Sequence, residues 1–265
     1  FQRFTTVVNS HQENIYFYLL MLVIASIPFS PLLILGLFNG AIQIKNNFIK
    51  AKNKPSQSLL FFSIAWLLTV FLFFTISGTK LPSYWLPATP AAAIIIGQTE
   101  NLRISEFKYS RSLFYIFWNL TMLMIFLIAL VILLPILNSD FSLLDKINDN
   151  EMKNLSTHIL ESGILVRGGI CLLASFLIGI SLNFYSRISL LSIQIPILLF
   201  NFLTFIPLFG IADQHRQLSL REASKVMINL KKKNESLAMV GIKKPSVHFY
   251  TNSVILYESN TINNV

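Results

Sequence analysis

The chain has 265 residues, 54% of them hydrophobic and 12% charged, and carries a net charge of +9. A soluble globular domain has about 25% charged residues. Half that share, with a mean hydropathy of +0.62, excludes an ordinary soluble domain and points to the membrane class. The one cysteine, Cys171, lies in an apolar run and rules out an internal disulfide.

Phe1 to Asn14 is polar and lacks the basic, apolar and small-residue succession of a signal peptide. It reads as a loop remnant at residues 1–14, with the chain expected to be the later part of a longer protein. In lipid the backbone must bond to itself, so apolar runs near 20 residues read as helices. Six stretches qualify or nearly do, at 15–38, 59–76, 84–97, 113–137, 164–183 and 188–211. Pro28 and Pro31 are expected to kink the first, and the third is short and contains Pro87 and Pro90. Residues 212–265 are a different material, richer in Gln, Ser, Lys and Asn. There Leu218, Ala223, Val226, Met227 and Leu230 have the spacing of one helical face, with Ser219 as a candidate cap. Leu237–Val240, Ser246–Tyr250 and Val254–Tyr257 read as short strands. The expected fold is mainly α. It is a polytopic membrane protein with a transmembrane domain at 15–211, about six helices, and a small extracytoplasmic α/β domain at 212–265.

Basic residues in the short loops set the expected orientation. One set of alternate loops holds Lys45, Lys50, Lys52, Lys54, Arg103, Lys108, Arg111 and Arg187. The other holds Arg3, Lys80, Lys146 and Lys153, and its loop Asn138 to Gly163 is net acidic. Eight against four assigns the first set to the cytoplasm. Phe1 to Asn14, the Lys80 turn, the acidic loop and the tail then face outward. Most of the positive charge is thereby explained by topology or by the solvated tail, which argues against nucleic acid as a partner.

Between the second and third stretches runs Ser77-Gly78-Thr79-Lys80-Leu81-Pro82-Ser83-Tyr84-Trp85-Leu86-Pro87. A lysine and a tyrosine at a membrane boundary have a natural partner in the phosphate of a lipid headgroup. Lys80 offers a point charge with three donors, and Tyr84 one further donor. Arg3, on the same side by the charge count, can grip a phosphate bidentately. Gly78, Pro82 and Pro87 would shape and stiffen the turn. Simpler roles compete. Lys80 could snorkel to headgroups, Tyr84 could serve in an aromatic belt, and Trp85 reads as a belt residue. His11, beside Glu13, is a minor candidate for metal or acceptor contact. His158 and Glu161 could share a helical face, whereas His215 and His248 lack metal-ligand spacing. Arg167 is expected to reach back to the interface.

The Lys80 segment resembles the "GK-LP-Y-LP" turn of bacterial lipid-linked sugar transferases, the aminoarabinose transferases of lipid A and their protein O-mannosyltransferase-like relatives. Gln2-Arg3-Phe4 resembles the "RF" that precedes the final helices of that family. His11 with Tyr16-Phe17-Tyr18 is similar to its "H…P-W-Y-Y", though Asn14 and Ile15 stand where proline and tryptophan would. Pro245-Ser246-Val247-His248-Phe249-Tyr250 resembles its "S-x-x-F-Y". The resemblance implies a GT-C type glycosyltransferase of the bacterial inner membrane, of which this chain would be the second half. The donor would be a polyprenyl-phosphate-linked sugar, with Lys80, Tyr84 and Arg3 on its phosphate. The acceptor would be a lipid, glycan or protein, and membrane lipids would surround the chain. The family's catalytic carboxylates sit on an early outward loop outside this sequence, so no catalytic base is assigned and the fragment alone is expected to be inactive. The resemblance also admits a divalent metal, with no ligands assigned. The rival reading is a non-enzymatic lipid-binding subunit, or a transporter or flippase of lipid-linked sugars. Transporters place ionisable residues within their helices, and these stretches have almost none. Asn119 and Asn201 are the main internal polar residues, which helix–helix hydrogen bonds would explain.

Overall fold

The computed structural model describes residues 14, 16–47, 55–104, 108–138, 155–185, 189–232, 235–241 and 244–258. The chain is mostly helical. Among the described residues, four helical segments are long and apolar enough to cross a membrane: Gln57–Ile76, Tyr109–Leu134, Ile164–Phe184 and Leu190–Leu230, with Ser30–Lys45 a shorter apolar helix. The chain divides into two compact units, one of residues 1–131 and 170–198, the other of 132–169 and 199–265.

The first unit begins with α1 (Phe17–Ile24) and α2 (Ser30–Asn47). The expected single helix 15–38 is therefore two. The break falls around Pro28, which has no N–H for the ladder, and Pro31 sits in the first turn of α2, where a missing N–H costs nothing. Helix α2 runs nine residues beyond the expected end at Phe38. Gly36 and Gly40, one turn apart, explain why. A Cβ on Gly36 would meet the Ile95 carbonyl oxygen at 3.0 Å, and one on Gly40 would collide with the Ile64 side chain. The missing side chains let α2 lie close against its neighbours, as small residues do between membrane helices.

Those neighbours are α3 (Pro55–Ile76) and α4 (Thr89–Gln98), joined through a 3₁₀ helix at Pro82–Ala88. Tyr18, Leu33, Leu60, Ile64, Leu67, Trp85, Ala88, Ala91, Ala92 and Ile95 form one apolar core among these elements. A second 3₁₀ helix, Thr99–Ile104, leads to α5 (Lys108–Asn138). Phe114, Trp118, Met122, Ile125 and Ala129 are buried on one face of α5, while Ile116, Leu120, Leu123, Leu127 and Val131 are exposed on the other. An exposed apolar face is what a bilayer solvates. Trp118 and Met122 of the buried face meet Gly179 of α7 (Ile164–Phe184), which in turn bonds α8 (Leu190–Phe200). The Trp118 indole N–H donates to the Gly179 carbonyl at 3.3 Å, Asn183 Nδ2 donates to Asn119 Oδ1 at 3.1 Å, and Ser175 donates to the Ile193 carbonyl at 3.0 Å. Ser63 and Thr121, both fully buried, spend their hydroxyls on carbonyls one turn back, of Leu59 and Phe117, so neither hydroxyl is buried without a partner.

The second unit contains α6 (Leu155–Glu161), the start of α7, a π-helical turn at Asn201–Phe205, and α9 (Ile206–Leu230). The Arg167 guanidinium donates to the Ser162 carbonyl at 2.9 Å. Helix α9 continues from the last apolar stretch through residues 211 and 212 without a break. Ser219 therefore lies inside a helix and caps nothing. The expected apolar face is also not the packed one: Leu218, Val226 and Leu230 are exposed, whereas Ser224 is buried. After α9 come β1 (Leu237–Val240), α10 (Pro245–Thr251) and β2 (Ile255–Glu258). The strand expected at Ser246–Tyr250 is a helix. The strands pair in parallel, Leu237 opposite Ile255 and Val240 opposite Glu258, and parallel strands need a crossover between them. Pro245 starts that crossover helix, Val247 and Thr251 share its buried face at helical spacing, and Asn252 ends it in the left-handed region with φ of 47°. Arg221 lies 5.4 Å from the Tyr250 ring, holding α10 to α9 through a cation–π contact.

Candidate functional site

The Lys80 turn occupies the gap between the end of α3 at Ile76 and the 3₁₀ helix that starts at Pro82. Its backbone folds on itself. The Ser77 hydroxyl donates to the Thr79 carbonyl at 3.2 Å, and Lys80 Nζ donates to the Ser77 carbonyl at 3.1 Å. Ser77 and Thr79 are buried, while Gly78 and Lys80 are half-buried. An ammonium has three donors, so this single bond orients the charge without exhausting it. Leu81 is extended, with φ −128° and ψ 142°, as the residue before a proline tends to be. Pro82 opens the 3₁₀ helix and Pro87 lies in its last turn. Both prolines are exposed.

Tyr84 is half-buried one turn into that helix. Its amide donates to the Leu81 carbonyl at 3.1 Å, and its ring stacks on Phe74 of α3 with centroids 4.8 Å apart. Two of the expected phosphate ligands, Lys80 and Tyr84, thus stand on either side of Leu81, Lys80 directly before it and Tyr84 bonded to its carbonyl. Trp85, expected in an aromatic belt, is instead 4% exposed. The 3₁₀ twist turns it into the core against Ile64 and Leu67 of α3, while Leu86 takes the exposed position. Arg3 and His11, with Glu13, lie outside the described residues.

Sequence reasoning missed the part played by Tyr18. Its ring is fully buried. Its hydroxyl donates to the Leu81 carbonyl at 3.1 Å and accepts the Leu81 amide at 3.2 Å. A buried phenol needs a polar partner, and that requirement was the available signal, since Tyr18 sits in an otherwise apolar helix. Phe74 and Ser77 carried no comparable mark.

An apolar cavity of 530 Å³ runs along α1, lined by Asn14, Tyr16, Phe17, Leu19, Leu20 and Val23. A second, of 310 Å³, lies between α2 and α5 around Phe38, Asn39 and Tyr109. Lys80 lines neither. The His158 and His215 rings approach to 4.6 Å between α6 and α9. Among the described residues, however, no group of three or more His, Cys, Asp and Glu could hold a metal ion.

Comparison with known proteins points the same way as the Lys80 turn. Residues 230–265 match the family described as the cyanobacterial RgtA-type glycosyltransferase C-terminal domain. The undecaprenyl phosphate-alpha-4-amino-4-deoxy-L-arabinose arabinosyl transferase of Yersinia pestis (strain Pestoides F) is 29% identical over 112 residues, 40% of this chain and 18% of the relative. The transferase of that name in Yersinia pseudotuberculosis serotype O:3 (strain YPIII) matches to the same extent. An uncharacterized protein of Aquifex aeolicus (strain VF5) is 32% identical over 107 residues, 40% of this chain and 22% of the relative. The aligned part thus spans less than a quarter of these curated relatives. No solved structure matches the chain. The chain is a membrane protein similar to the C-terminal region of GT-C type glycosyltransferases.

Proposed function

We propose that the chain is the membrane-embedded C-terminal part of a glycosyltransferase that moves a sugar from a polyprenyl-phosphate donor to a lipid, glycan or protein acceptor. The single observation that carries this reading is the Lys80 turn. A half-buried lysine and a half-buried tyrosine lie on either side of Leu81, just past the end of an apolar helix long enough to cross a membrane. They do so in the segment that resembles the family's turn.

As the sugar leaves, its bond to phosphate oxygen breaks and negative charge grows on the departing polyprenyl phosphate. A fixed ammonium there lowers the barrier because its attraction strengthens as that charge develops. Lys80 takes this role, Tyr84 adds a hydrogen bond, and Arg3 completes the grip. Gly78, Pro82 and Pro87 shape the turn. The base that deprotonates the acceptor comes from outside this chain. The donor named for the Yersinia relatives supports an undecaprenyl-phosphate-linked sugar here as well. The apolar cavity along α1, the helix whose Tyr18 bonds Leu81, is one that a lipid chain could occupy. With residues 84–97 taken as a span, as the sequence reading has it, the charge count of the loops favours a turn on the outer side of the bacterial cytoplasmic membrane; α4, at ten residues, is shorter than a full crossing. On the same six-span reading we assign the tail, residues 212–265, to the outer side.

The test is Lys80→Ala in the natural protein, reconstituted in vesicles and assayed with a polyprenyl-phosphate sugar. Transfer should fall by about 100-fold or more, the usual cost of removing one stabilising donor, with expression and insertion intact. Unchanged transfer removes Lys80 from the donor site.

A further inference from the structure

We propose that Tyr18 is the positioning residue of the Lys80 turn. Its buried hydroxyl clamps Leu81 so that the neighbouring ammonium and Tyr84 present themselves together to a lipid phosphate. The inference rests on the donor-phosphate reading of Lys80.

The phenol uses both of its hydrogen-bonding capacities on one residue, donating to the Leu81 carbonyl at 3.1 Å and accepting its amide at 3.2 Å. Leu81 follows Lys80 directly. Its carbonyl also receives the Tyr84 amide at 3.1 Å, so one backbone residue fixes both candidate phosphate ligands. The tie is non-local, joining positions 63 apart in the chain. The hydroxyl has little freedom of its own. The ring is fully buried, with Phe17 edge-on at 5.0 Å and Phe74 at 6.2 Å. Phe74 in turn stacks on Tyr84 at 4.8 Å. Tyr18 thus reaches the turn twice, through the Leu81 backbone and through Phe74.

Packing alone does not require this hydroxyl. Phenylalanine would fill the same space without burying a polar atom, and a buried hydroxyl is costly unless bonded. The stretch Ser77 to Leu81 belongs to no regular element, so its backbone lacks a ladder of its own. What the hydroxyl adds is a fixed anchor for that irregular segment, and therefore a fixed position for the charge that follows from it.

The experiment compares the natural protein with Tyr18→Phe and Lys80→Ala in phosphatidylglycerol–phosphatidylcholine nanodiscs. Binding of undecaprenyl phosphate is measured beside undecaprenol, which lacks the phosphate, and amide exchange is followed across residues 78–84. Tyr18→Phe should speed exchange at Leu81 and Tyr84. It should weaken undecaprenyl phosphate about tenfold, since small misplacement of a binding group is costly, and leave undecaprenol unchanged. Equal weakening of both lipids would mean a merely structural role and overturn the proposal. So would unchanged phosphate binding. If the natural protein and Lys80→Ala both bind the two lipids alike, the donor-phosphate reading itself fails and takes this inference with it. Should Tyr18→Phe not accumulate, a fluorotyrosine at position 18 keeps ring and hydroxyl but accepts hydrogen bonds more weakly. It should shift phosphate binding in the same direction, and no shift would count against the clamp.

Discussion

The Tyr84 ring lies on Phe74, centroids 4.8 Å apart and planes 27° from parallel. The last turn of α3 therefore holds the plane of the Tyr84 ring. Stacked aromatic pairs contribute about 0.5–1.5 kcal/mol beyond the area they bury. Phe74→Leu keeps an apolar side chain but removes the stack. It should lower affinity for undecaprenyl phosphate several-fold while the protein still inserts and folds, as a lipid-binding titration would show.

Gly36 and Gly97 make a matched pair for a stability test. A methyl on Gly36 meets Ile95 side chain and backbone, whereas one on Gly97 meets nothing within 4 Å. Gly36→Ala should destabilise by about 1–3 kcal/mol because the Ile95 backbone cannot yield. Gly97→Ala should be neutral or slightly stabilising. Thermal unfolding of both variants in the same detergent checks the contrast.

Asn119 and Asn183 share one hydrogen bond of 3.1 Å between α5 and α7. Membrane hydrogen bonds of this kind couple by about 0.6 kcal/mol on average. A double-mutant cycle with Asn119→Ala and Asn183→Ala should return a coupling of that order. A coupling of zero would mean that the pair does not hold the two helices together.

Lys80→Arg separates charge from shape. Guanidinium keeps the charge but replaces a compact ammonium with a planar fork on a longer stem. Transfer should fall less than in Lys80→Ala, with the loss expressed mainly in KM for the lipid donor. Equal loss in both variants, read from steady-state kinetics on the natural protein, would show that charge alone is insufficient.

The long apolar helices were legible because lipid imposes a simple rule: apolar length plus internal hydrogen bonding. The rule says less where the signal is mixed. Asn39 and Gly40 looked like the end of a helix, yet Gly40 is there because Ile64 leaves no room for a side chain. Ser246 to Tyr250 has strand-like composition, but the parallel register of Leu237 with Ile255 demands a crossover, and a pairing direction cannot be read from either strand alone. At the site, Lys80 and Tyr84 were visible through spacing within one short segment. Tyr18 was not, because its partner lies 63 residues away and only tertiary packing brings the two together.

Helix α9 begins with Ile206, Pro207, Leu208 and Phe209 and, with no interruption, goes on to Asp213, His215 and Arg216. Its greasy start and its ionic continuation share one rod. Cutting the polypeptide at position 212 would release a piece that starts midway along a helix and has lost α6, whose His158 ring rests against His215. Such a soluble excerpt should arrive frayed at its leading edge. The watertight seam that hydropathy draws across this chain is therefore not a place where it can be dismantled.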